Sequence, residues 1–84
     1  MKIIFSSHAK QRFEQRARMN IGAGYNYVKR ASKTEINPMH QEYINKYKEK
    51  QTDPTLTVIA YKHLMFVARI KENEIFVVTV LVVH

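Results

Sequence analysis

The chain contains no cysteine. That excludes disulfides, thiolate zinc sites and cysteine nucleophiles, and it fits a reducing compartment. Glycine and proline are scarce, with two of each. There is therefore no Gly-rich loop to cradle a phosphate and no Pro- or Gly-rich linker to divide the chain. Acidic residues are also few, seven Asp and Glu against fourteen Lys and Arg, and they form no acidic run suited to magnesium. His8, His40, His63 and His84 are scattered, with no closely spaced pair. No metal site and no cofactor are expected. Long apolar segments are missing near the start, where serines follow Ile3-Ile4-Phe5, far short of a signal-peptide core or membrane span. The expectation is a cytoplasmic protein with no membrane partner.

What the chain does have is positive charge. Its 84 residues make a single domain, 1–84, near the size at which one core becomes marginal without a metal, disulfide or partner. The formal charge is +7, and the basic residues are spread along the chain rather than massed in a tail. A compact basic domain attracts polyanions, above all RNA or other nucleic acid, and an acidic protein is the alternative partner.

Residue patterning predicts an α+β fold. Lys2 to Phe5 reads as a short N-terminal strand. Ser7 is then a candidate N-cap for a helix from about His8 to Met19, in which Ala9, Phe13 and Ala17 form the buried stripe. Asn20 to Gly24 holds both glycines and reads as a break. A second helix is expected from about Ala23 to Glu35, and a third begins at Asn37-Pro38 and stops at Asp53-Pro54. From Leu56 onward the pattern is β, with strands over 56–61, 64–70 and 75–83. The last is almost continuously apolar, as a central strand buried on both faces would be. These elements predict a short first strand, two or three helices, then a three-stranded antiparallel β-meander, with the helices on one face of the sheet. Phe13 and Val78 are expected to be buried between the first helix and the sheet.

The most telling segment is Ser6 to Arg16. On a helix, His8, Arg12 and Arg16 stand over one another. They lie roughly 60 to 100° around from the apolar stripe, where a packed helix meets solvent. An imidazole beside two guanidinium forks suits phosphodiester chemistry, since the one can move a proton and the others can hold phosphate. Cleaving RNA without metal needs a base for the 2′-hydroxyl, an acid for the leaving oxygen, and positive charge for the transition state. The same spacing also serves a plain solvated face, with His8 helping to cap. Thr79, the one polar residue of the last strand, could orient His8 or a phosphate, or simply satisfy a neighbouring carbonyl. Lys62 and Arg69 could add phosphate contacts or blunt a sheet edge. Tyr25, Tyr27, Tyr43 and Tyr47 could stack on bases or pack between helices.

The pattern His8-Ala9-x-x-Arg12-x-x-x-Arg16 after a short strand, with Val77-Val78-Thr79-Val80 closing the chain, resembles a family of small phage- and plasmid-borne domains. That family is grouped with the BrnT-like and RelE-like toxins, in the barnase, EndoU, colicin and RelE-like nuclease assemblage. The resemblance implies a metal-independent ribonuclease-type fold whose catalytic set would be His8, Arg12, Arg16 and Thr79. It further implies a toxin or phage effector, with an antitoxin among its partners. Two features depart from the pattern. Ala17-Arg18-Met19-Asn20-Ile21 stands where the family commonly has Gly-Ile-Ser, and Asn37 to Asp53 is longer than the usual link to the sheet. Two functions are thus expected: a metal-independent endoribonuclease that uses His8, Arg12, Arg16 and Thr79, with Lys62 and Arg69 assisting in nucleic-acid binding, or a non-catalytic basic protein that grips nucleic acid or inhibits an acidic host protein.

Overall fold

The computed structural model describes residues 2–31, 38–50 and 53–82. In chain order these form β1 (Lys2–Phe5), α1 (Ser7–Ala17), α2 (Ile21–Ala31), α3 (Pro38–Lys50), β2 (Thr57–Tyr61), β3 (Leu64–Lys71) and β4 (Glu74–Val82). The expected end of the second helix at Glu35 and the Asn37 cap lie outside the described residues, as do His84 and the His40 side chain.

The four strands make one sheet in the order β1-β4-β3-β2. β2, β3 and β4 are the expected antiparallel meander. β1 joins it beside β4 and parallel to it, from Lys2↔Glu74 to Phe5↔Val77. Parallel neighbours need a long crossover, and here everything between β1 and β4 supplies it. The apolar run of β4 is thereby interior, flanked on both edges.

Ser6 locks α1 to this sheet. Its backbone N–H donates to Val77 O at 3.0 Å, and its hydroxyl donates to Val78 O at 3.0 Å. The same hydroxyl accepts from Ala9 N–H at 3.0 Å, so Ser6 rather than Ser7 is the N-cap. Capping by the earlier serine also satisfies a strand carbonyl that Ser7, one residue further along, would leave to another donor.

The end of α1 corrects the reading of the glycines. Arg18, at φ 55°, takes the left-handed position usually given to glycine, and its N–H reaches Glu14 O at 3.0 Å. Asn20 then starts α2, its side chain accepting from Gly22 N–H at 2.8 Å. Both glycines therefore lie inside α2. Gly24 sits at a close approach: a Cβ there would stand 3.3 Å from Phe5 Cζ and 3.4 Å from two Phe13 ring carbons, so the rings would have to give by a few tenths of an ångström. A glycine inside a helix costs about 1 kcal/mol relative to alanine.

Two apolar clusters cover the two faces of the sheet. Along β3, Leu64, Phe66 and Ala68 join Phe5, Ala9, Phe13, Val28 and parts of β4. Met65 and Val67 join Ile44 of α3 and Val58. Side chains alternate along a strand, so α1 and α2 share one face and α3 covers the reverse. The α+β class stands, with α3 as the exception to helices on one face. The physical reason is the apolar character of both sides of β3, which leaves neither face fit for water.

Register between β3 and β4 shifts at Val67/Ala68, where Val67 pairs with Thr79 and Ala68 with Val77. Val78 is the extra residue, a β-bulge. Its effect is a change of phase: Ile75 and Val77 before it and Val80 after it all enter the α1 cluster. Val77 and Val80 are fully buried, whereas Val78 is only half-buried, which corrects its expected place in the core. Phe13 is where it was expected, with no exposed surface.

Candidate nucleic-acid interface

Because Ala9 and Phe13 turn α1 toward the sheet, His8, Arg12 and Arg16 rise along its outer flank. His8 and Arg16 are exposed, and Arg12 is half-buried. None of the three has an ion pair or side-chain hydrogen bond among the described residues. Lys10 adds a further cation to the helix, and its first turn has no acidic residue. His8 stands in that first turn, where the unpaired amides of a helix start add partial positive charge. The arrangement is a cationic ladder with an imidazole at one end, open to an anion from solvent.

Thr79 is not brought to this ladder. Residues directly opposite in an antiparallel pair share a face, and Thr79 is opposite Val67, which belongs to the α3 cluster. The bulge at Val78 is what turns it away. A catalytic set of His8, Arg12, Arg16 and Thr79 is therefore split across the sheet.

Arg69 is engaged elsewhere. Its guanidinium donates to Asp53 Oδ2 at 3.0 Å and to Thr55 Oγ1 at 3.2 Å. Asp53 Oδ1 in turn accepts from Thr55 N–H at 2.9 Å and Thr55 Oγ1 at 2.6 Å. Donation from the Thr55 hydroxyl and amide, and then from Arg69, holds the Asp53 carboxyl below its ordinary 3.8. This latch ties the approach to β2 onto β3. The Asp53-Pro54-Thr55 sequence carried the signal for it, since Asp before a turn accepts from the backbone two residues on. A depressed carboxyl stabilises the fold above its unfolded pKa and ceases to do so as pH falls through the folded value. Acid titration of the wild type should thus loosen this turn below about pH 4, near the ordinary Asp value. Asp53→Asn should remove that acid step, with amide exchange at Thr55 as the readout. An unchanged step in the variant would assign it to another carboxylate.

Lys62 lies in the β2–β3 turn at φ 55°. Its side chain is exposed, donates to Tyr27 Oη at 3.4 Å, and sits 5.0 Å above the Tyr27 ring and 5.8 Å from that of Tyr61. His63, beside it, is exposed. Tyr25 and Tyr27 pack against the α1 cluster, whereas Tyr43 and Tyr47 pack on the α3 side. Among the described residues no group of three or more His, Asp or Glu is gathered for a metal. No helix there is long and apolar enough to cross a membrane. No protein-family model, curated protein or solved structure matches the chain.

Proposed function

We propose that this chain is an RNA-binding domain that grips the phosphate backbone along the His8, Arg12 and Arg16 face of α1. The observation that carries this reading is the ladder itself: two guanidinium groups one turn apart, with no protein partner among the described residues, in a chain of charge +7. Arg69 makes the contrast, because its charge is already met by Asp53. Arginine forks that are not paired within the fold suit phosphate oxygens in bidentate geometry.

A second reading, metal-independent cleavage, is favoured by the exposed imidazole at the end of the ladder. In it, His8 accepts the 2′-hydroxyl proton as that oxygen attacks phosphorus. The bond to the 5′-oxygen breaks, giving a 2′,3′-cyclic phosphate and a 5′-hydroxyl. The leaving oxygen takes its proton from the same imidazole or from water. Arg12 and Arg16 hold the non-bridging oxygens and offset their growing charge. Thr79 has no part in this scheme.

Binding is tested by titrating RNA at several salt concentrations. The Arg12→Gln/Arg16→Gln double variant should weaken affinity and flatten the salt dependence by two phosphate contacts, about 0.7 each in slope on a single strand. An unchanged slope in the folded variant would remove this face from the interface. Tight capture of an acidic protein with no RNA affinity would favour the inhibitor reading instead.

A further inference from the structure

We infer that the nucleic acid on the ladder is single-stranded and that it lays a base against the ring pair of Tyr27 and Tyr61; this rests on the RNA-binding reading above. Tyr27 of α2 and Tyr61 at the end of β2 meet edge to face, with centroids 4.8 Å apart and planes at 79°. Both are half-buried. The exposed Lys62 ammonium borders both rings. Its left-handed backbone is one that a glycine would take at lower cost. Here that position carries a cation beside two rings.

The ring pair packs on α1, the helix that carries the ladder. Phe13 packs edge to face on Tyr27, with centroids 6.1 Å apart, and Tyr27 Oη lies 3.6 Å from Met19 Sδ. Arg16 follows Phe13 by three residues on α1, about one helical turn. The proposed path sets a phosphate on Arg16, a neighbouring base at the rings, and the ammonium of Lys62 against the backbone beyond it. Bases in a duplex are hidden in their own stack. Only an unpaired strand can offer a base face to tyrosine, and such stacking tolerates any base.

The test uses the full chain and three uncleavable probes: a short mixed-sequence 2′-O-methyl RNA strand, the same strand without bases, and its duplex. The wild type should bind the base-bearing strand about tenfold tighter than the abasic one. Binding should also quench fluorescence, which comes from five tyrosines and no tryptophan. Tyr61→Leu should abolish the preference and Tyr61→Phe should keep it. Equal affinity of the wild type for base-bearing and abasic strands would overturn the inference, whether or not Tyr61→Leu folds. The ladder is judged separately: Arg12→Gln/Arg16→Gln should weaken all three probes alike. A base preference that persists beside an unchanged salt slope would sink the ladder and leave the stacking site.

Discussion

On the cleavage reading, His8→Ala should cut RNA cleavage in EDTA by about 100-fold or more while leaving RNA affinity nearly intact. The separation of the two effects follows from position. His8 is exposed and has no hydrogen-bond partner among the described residues, so its loss disturbs neither packing nor the Ser6 cap. In the proposed binding mode, affinity resides in the guanidinium groups a turn and two turns away. If the imidazole moves the proton, the pH–rate profile should also lose one titrating limb. Cleavage at the wild-type rate in the variant would put the chemistry elsewhere, and His63 in the β2–β3 turn would be examined next. No cleavage by wild type and variant alike would overturn the cleavage reading.

Phe13→Ala should destabilise the domain by about 3 to 5 kcal/mol. Phe13 is wholly buried and packs against Phe5, Tyr27 and Phe66, with centroids 6.4, 6.1 and 6.2 Å away. It also fills the space beside Gly24 of α2. Truncation would open a cavity at the junction of both helices with the sheet, and little can collapse into it. A domain of this size has only about 5 to 15 kcal/mol of stability in all, so the loss threatens folding itself. Urea denaturation gives the measurement, with His8→Ala as the control whose midpoint should not move. A near-wild-type midpoint for Phe13→Ala would mean that α1 presents a different face to the sheet.

The ladder was legible because helical spacing is a local rule. Once Ala9, Phe13 and Ala17 are read as the buried stripe, His8, Arg12 and Arg16 must share the flank beside it. The partner of each cation was not legible. Arg12 and Arg69 look alike in sequence, yet Arg12 has no ion pair or side-chain hydrogen bond among the described residues and Arg69 is latched to Asp53 across sixteen positions. The Tyr27 and Tyr61 pair is likewise invisible until α2 and β2 meet.

Sequence by itself determined the element order, the meander, the apolar centre of β4 and the orientation of α1, all of which follow from periodicity and turn chemistry within short windows. Tertiary structure alone decided three things. It put β1 parallel to β4, because strand partners are chosen by which edges remain open after the chain has crossed the sheet. It sent α3 to the reverse face, because β3 is apolar on both sides and each side must be covered. And it turned Thr79 away from His8, because one extra residue at Val78 shifts the side-chain alternation of everything beyond it.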